Sequence, residues 1–204
     1  MTLTSVPDVS DAVAARKTLL DELVRHAYQY SPEKPFLLVS GQYSDEYLDC
    51  KLALSQPTAM ASLGKVFLAK LRPEVVAIGG LTMGSDPIAM STSQVSFGGK
   101  QQLRWFTVRK EAKGHGQKKL VEGSVQPGEA VAVVDDVCTT GGSTVKAIEA
   151  VRDFGLRVAQ VIVLVDRQQS DGIANIQRAA GEGIDVTAIF TKDEVKRRWV
   201  ELKG

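Results

Sequence analysis

Val131-Ala132-Val133-Val134-Asp135-Asp136-Val137-Cys138-Thr139-Thr140-Gly141-Gly142-Ser143-Thr144 is the stretch whose reading decides the fold. Val131 to Val134 is an unbroken apolar run, as a strand buried on both faces requires. Two carboxylates, Asp135 and Asp136, stand at the end of that strand. A loop of hydroxyls and glycines follows and opens a helix. Gly141 and Gly142 let the backbone curl so that successive N–H groups converge on an anion, and the first turn of the helix favours negative charge. An ordinary strand-to-helix turn needs one capping side chain, such as an Asp, Ser143 or Thr144. Two carboxylates and four hydroxyls exceed that need. Carboxylates for sugar hydroxyls beside amides for phosphate suit a sugar phosphate. Adjacent strand residues point to opposite faces, so both carboxylates reach one sugar only if the strand end twists. Their charge would also favour a sugar carbon that turns cationic as its anomeric bond breaks.

The same stretch excludes two common nucleotide sites. No Lys-Ser or Lys-Thr follows the glycines, so it is not a P-loop, and the chain has no GxGxxG.

Working outward, residues 11–30 show helical periodicity in Leu19, Leu20, Leu23, Val24 and Ala27, with Ser10 or Asp11 as cap. Phe36–Val39 and Tyr47–Cys50 read as short strands around a polar turn. Residues 57–71 read as a second helix, stopped by Pro73. Strands are expected at 74–79, 102–109, 130–135, 158–165 and 184–190. Helices are expected near Pro87, at 142–154 and from Asp193, with a long loop at 110–123 and a polar segment after 165. Strands rich in Val and Ile that alternate with helices predict an α/β fold: an open, mainly parallel twisted sheet flanked by helices. In such a sheet ligands bind at the C-terminal strand ends. Gly80–Gly84, Asp135–Thr144 and Asp166–Arg167 all fall there.

The 204 residues suit one domain with a full core, and a net charge of +1 does not point to nucleic acid or a membrane surface. No apolar run approaches the ~18 residues of a membrane span. The first residues lack the basic start and apolar stretch of a secretion signal. Cys50 and Cys138 lack zinc or disulfide-framework spacing, so reduced thiols in a cytoplasmic protein are expected. Cys138 reads as a small filler; Trp105 and Trp199 read as packing residues.

Arg109-Lys110-Glu111-Ala112-Lys113-Gly114-His115-Gly116-Gln117-Lys118-Lys119 carries five fixed cations and one His against one Glu. Such a run serves equally as a solvated face or, with two glycine hinges, as a mobile loop that closes over a polyanion such as diphosphate. Arg167, at the end of a strand, fits either a carboxylate ligand or a surface ion pair.

With these residues quoted, Val131–Thr144 resembles the phosphoribosyl-diphosphate (PRPP) signature of the type I phosphoribosyltransferases. The 109–116 loop resembles the mobile loop of orotate phosphoribosyltransferase. Ser40-Gly41-x-x-Ser44-x-x-Tyr47-x-Asp49, Gly84-x-x-Pro87-Ile88-Ala89 and Val165-Asp166-Arg167 are similar to further motifs of that family. The resemblance implies the type I fold over residues 1–204, with an N-terminal base-site hood at about 1–55 and a core at about 56–204. It implies transfer of the 5-phosphoribosyl group of PRPP to orotate, giving orotidine 5′-phosphate and diphosphate, with Mg²⁺ held mainly by PRPP and water. PRPP would meet Arg109, Lys110, Lys113, His115, Asp135, Asp136, Val137, Cys138, Thr139, Thr140, Gly141, Gly142 and Ser143. Orotate would meet Thr139, Arg167 and Tyr47. Lys113, His115, Asp135 and Asp136 would be the catalytic set, and a homodimer would share its sites through the loop.

The chain departs from the family pattern at Val39, where many relatives carry Lys, at Gln42, where many carry Arg, and at Met83-Gly84, where many carry Tyr-Lys. Lys51, Lys118 or Lys119 are candidates to supply the missing cations. Two other readings compete: transfer to another nucleobase, and a PRPP-sensing regulator that has lost turnover, for which no appended nucleic-acid-binding element is seen.

Overall fold

The computed structural model describes residues 9–37, 43–111 and 119–203, the side chains of residues 9 and 10 excepted. In chain order the elements are α1 (Val9–Glu22), a π-helical turn (Leu23–Ala27), β1 (Tyr28–Tyr30), β2 (Phe36–Leu37), β3 (Tyr43–Ser44), β4 (Glu46–Leu48) and α2 (Cys50–Leu54). They continue as α3 (Pro57–Leu68), β5 (Ala77–Leu81), α4 (Asp86–Ser96), β6 (Arg104–Val108), β7 (Val121–Gly123) and β8 (Ala130–Cys138). The last are α5 (Gly142–Asp153), β9 (Arg157–Asp166), α6 (Gly172–Ala180), β10 (Asp185–Thr191) and α7 (Lys192–Lys203).

Six strands form one sheet in the order β10-β9-β8-β5-β6-β7, parallel except for β7. This is the expected open, mainly parallel α/β sheet. Its uninterrupted apolar strands are covered on both faces. On β8, Ala130, Ala132 and Val134 enter the core shared with α1 and α3, while Val131 and Val133 enter the core shared with α5 and α6. From β5 the chain steps outward to β6 and β7, then returns to the other side of β5 as β8. The strand order therefore reverses between β5 and β8, and a crevice opens beyond the C-terminal ends of those two strands.

Outside this sheet, β1 pairs with β4 and β2 with β3, both antiparallel. The β1–β4 ribbon is tied to the C-terminal helix. Glu46 of β4 takes Lys192 at 2.8 Å and Lys196 at 2.5 Å. Trp199 packs edge-on against Tyr28 and Tyr30, as a packing residue should. Trp105, also expected to pack, is 40% exposed on β6.

Several boundaries differ from expectation. The first helix leaves its path at Tyr28, because Tyr28–Tyr30 pairs with Glu46–Leu48. Cys50 is not the end of a strand but the first residue of α2, capped by the Asp49 carboxylate, which accepts from Lys51 N at 3.1 Å. β5 runs through Gly80 and Leu81, since Leu81 pairs with Val108. Val121–Gly123 is an edge strand and not loop. The polar segment after β9 contains α6, whose Ile173, Ile176 and Ala180 form an inward stripe.

Candidate active site

The carboxylate pair is not at the end of its strand. β8 continues to Cys138 because β9 keeps pairing with it, Val137 with Val165 and Cys138 with Asp166. Asp135 and Asp136 are 4% and 6% exposed. Alternation along β8 sends them to opposite faces, and each finds a different partner there. Asp135 Oδ2 accepts from Thr144 Oγ1 of α5 at 2.9 Å, and its Oδ1 accepts from the Asp136 amide at 3.0 Å. Asp136 Oδ2 accepts from Lys51 Nζ of α2 at 3.1 Å.

The Oδ1 atoms of the two nevertheless both face the turn after β5. A Cβ on Gly84 would stand 2.4 Å from Asp136 Oδ1 and 2.8 Å from Asp135 Oδ1. The turn after β5 thus passes both carboxylates so closely that only glycine fits. Asp86, just beyond it, accepts from Thr82 Oγ1 at 2.6 Å and from Thr107 Oγ1 at 2.8 Å, which ties the turn to β6. Burial, and then the charge of Asp136, push the Asp135 carboxyl up to about 7.

The hydroxyl loop follows β8 directly. Gly141 caps α5 at φ +79°, and a Cβ there would stand 2.7 Å from Gly172 O and 2.8 Å from Ile176 Cγ1. Both the left-handed backbone and the contact with α6 demand glycine. The first-turn amides of α5 have no helical acceptor, as at any helix start. Asn175 of α6 donates to Thr140 O at 2.9 Å and to Ser170 O at 3.2 Å, so one side chain braces this loop and the loop after β9.

A cleft of 820 Å³ lies between these sheet-borne groups and the N-terminal ribbons. Asp136, Val137, Thr139, Thr140 and Arg167 line one side; Leu37, Tyr47, Asp49 and Lys51 line the other. Tyr47 stacks on Phe36 with ring centroids 5.5 Å apart. Arg167 Nε is buried with no hydrogen-bond partner among the described residues, so the cleft holds a cationic donor available to a ligand. Cys138 is fully buried, and burial pushes its thiol up to about 11, which suits a filler and not a nucleophile.

Of the site residues expected from sequence, Tyr47, Asp136, Val137, Thr139, Thr140 and Arg167 share this cleft, with Asp135 beside it. Arg109 does not line it. Its backbone pairs with Leu120 at the far edge of the sheet, and its side chain turns to Glu111 O and Glu122. Lys119 lies over the Phe154 ring. Lys113, His115, Val39 and Gln42 lie outside the described residues. Thr144, Asn175, Gln169 and Ser170 complete the site and were not assigned to it as binding groups. Only Thr144 carried a sequence signal, as a hydroxyl in the loop.

The sequence profile of the phosphoribosyl transferase domain matches residues 62–174. An orotate phosphoribosyltransferase of Nostoc sp. is 39% identical over 197 residues, covering 96% of this chain and 92% of that relative. The crystal structure of Mycobacterium tuberculosis orotate phosphoribosyltransferase with Fe(III) dicitrate superposes with a TM-score of 0.73 at 31% identity, covering 89% of this chain and 98% of that one. A structure of the same enzyme in complex with PRPP superposes at 0.66 with 27% identity, covering 89% and 92%.

Proposed function

The chain belongs to the orotate phosphoribosyltransferases, and from that premise we propose that it transfers the 5-phosphoribosyl group of PRPP to orotate, giving orotidine 5′-phosphate and diphosphate for pyrimidine nucleotide synthesis. One observation supports this most directly. The buried Asp136 carboxylate, the Thr139-Thr140 loop that leads into α5 and Arg167 line a single cleft beyond the C-terminal ends of β8 and β9, with Asp135 beside it.

In this reading Asp135 and Asp136 hold the ribose hydroxyls. The amides and hydroxyls of Thr139 to Ser143, with Val137 and Cys138 beneath them, cradle the 5′-phosphate. Thr139, Tyr47 and Arg167 hold orotate, Arg167 by charge-assisted bonds to its carboxylate. The C1′–O bond to diphosphate breaks, the N1–C1′ bond forms, and the N1 proton leaves orotate. The protein's work is positioning and stabilisation of the charge that gathers on diphosphate. In this reading Arg109, Lys110, Lys113 and His115 supply that stabilisation, and His115 is the member of the set that can donate a proton. Mg²⁺ neutralises charge on PRPP when bound. The ion would be held mainly by PRPP phosphate oxygens and water, as a cation that dehydrates reluctantly prefers.

We also infer a homodimer. Met90 and Phe97 lie seven residues apart on one face of α4 and its end, and Trp105 shares its sheet face with Thr107, which bonds Asp86 of α4. Phe97 is 73% exposed and Met90 and Trp105 about two-fifths, exposed large apolar side chains of the kind a second copy covers. No described helix is long and apolar enough to cross a membrane, and the two buried free thiols suit a cytoplasmic setting.

The test is a substrate panel with PRPP and Mg²⁺. Orotate should be consumed with equimolar release of diphosphate, while adenine, hypoxanthine and uracil remain. Consumption of another base, or no diphosphate at all, rejects the reading. Lys113→Ala should lower turnover by about 10²–10³ and leave PRPP affinity in the open state near that of the parent, if the loop acts in the transition state.

A further inference from the structure

Asp135 and Asp136 are adjacent, buried and of like charge, so the ionised form of both together is unfavourable unless one has a counter-charge. The fold treats them unequally. Asp135 is met by neutral donors, the Thr144 hydroxyl and the Asp136 amide. Asp136 is met by an ammonium, Lys51 Nζ at 3.1 Å. Lys51 is itself placed. The Asp49 carboxylate caps α2 through the Lys51 amide and lies 3.7 Å from Lys51 Nζ. Burial works against the Lys51 charge, but Asp136 and then Asp49 outweigh it and push its titration upward.

Gly84 shows why the cation comes from α2. A Cβ at this glycine, in the turn after β5, would collide with an oxygen of each carboxylate. A charged side chain cannot reach the pair from that turn while the backbone holds this course. The opposite wall of the cleft supplies it instead.

We propose that Lys51 is a positioning residue for phosphoribosyl transfer, its ammonium holding the Asp136 carboxylate in place across the cleft and aimed at the ribose. The proposal rests on the orotate phosphoribosyltransferase reading for the reaction, but not for the binding of PRPP. The charged and titratable groups around Asp136 are Lys51, Asp49 and Cys50 from the α2 side, Asp135 on its own strand, and Arg167 across the cleft. Among these, Lys51 is the cation in contact with the Asp136 carboxylate.

The test compares Lys51→Met, Lys51→Arg and the parent, by steady-state kinetics from pH 5.5 to 9 and by calorimetry of PRPP without orotate. Lys51→Met should weaken PRPP about 10-fold in both KM and Kd, and move the acidic limb of kcat/KM upward by about one pH unit, as loss of a close counter-charge requires. Lys51→Arg should restore most of both. Weaker binding with an unmoved limb would mark Lys51 as a general attraction for anions and overturn the proposal. So would equal damage in both variants with the limb unmoved, or Lys51→Met behaving as the parent. If the parent binds PRPP but leaves orotate untouched, the acceptor reading fails. Lys51 is then judged on calorimetry alone, over the same pH range and by the same outcomes.

Discussion

The wall of the cleft that carries Asp135, Asp136 and Thr139–Thr140 stands on strands of nine and ten residues in the middle of the sheet, whereas the wall that carries Tyr47, Asp49 and Lys51 stands on strands of two and three residues outside it and on the five-residue α2. The first wall is fixed by ladders on both sides and by two hydrophobic cores. The second is held by short ribbons, by the Phe36–Tyr47 stack and by the ion pairs of Glu46 with α7. Rigid support suits the group common to every turnover, the phosphoribose. Lighter support suits the acceptor, which must enter and leave. Lys51 to Asp136 is a direct bond between the two walls.

Gly84→Ala attacks the rigid wall and should give the largest effect. Its methyl group must displace both carboxylates or the turn, and a shift near 1 Å in a reacting geometry costs on the order of 10²-fold. The loss should appear in kcat/KM for PRPP. Tyr47→Ala attacks the other wall. An aromatic pair contributes about 0.5–1.5 kcal/mol beyond its buried area, so the orotate KM should rise about 10-fold while PRPP affinity holds. If Tyr47→Ala weakens PRPP as strongly as Gly84→Ala does, the division into two walls is wrong.

The two walls were also unequally legible in the sequence. The rigid wall announces itself through local chemistry: an apolar run, a carboxylate pair, then glycines and hydroxyls. Its one misreading, the strand end placed at Asp135, arose because ladder bonds to Val165 and Asp166 carry β8 three residues further, and pairing across 28 residues leaves no mark on side-chain type. The other wall depends on contacts between distant segments. Helical periodicity runs on to Ala27, yet β1 departs because it meets β4. Lys51 sits 85 residues from Asp136, and nothing in its neighbourhood singles it out from Lys118 or Lys119 as the cation near that carboxylate. Asn175 is equally silent, since its role is to span two loops that the fold brings together.

Thr144→Val sharpens the contrast within the rigid wall. It removes a neutral donor from buried Asp135 and leaves the Lys51 pair on Asp136 alone. An unmet buried acceptor costs about 1–3 kcal/mol, partly relieved here because a carboxyl that has lost a donor to its charged form holds its proton to higher pH. The expected result is a several-fold loss of kcat/KM at pH 7 that shrinks as the pH rises. A loss that stays constant with pH would mean that Asp135 does not titrate in the working range.

The smallest effect concerns stability without ligand. The Asp135 carboxyl is raised from 3.8 to about 7, so between those values the native protein holds a proton that the unfolded chain has released. Its contribution to stability is full below pH 4 and is lost as pH rises through 7. Above 7 the folded state must hold a charge that burial and the neighbouring Asp136 disfavour. Asp135→Asn removes that burden and keeps an oxygen for Thr144. The ligand-free variant should therefore melt higher than the parent at pH 8, by several degrees if about 1–3 kcal/mol is recovered, and show little gain at pH 4. It should at the same time be a poor enzyme, having lost one ribose acceptor. Asp136 carries its counter-charge with it, so Asp136→Asn should give no such gain and instead leave Lys51 without its partner. Equal melting shifts for the two variants would erase the distinction between a carboxylate met by neutral donors and one met by an ammonium.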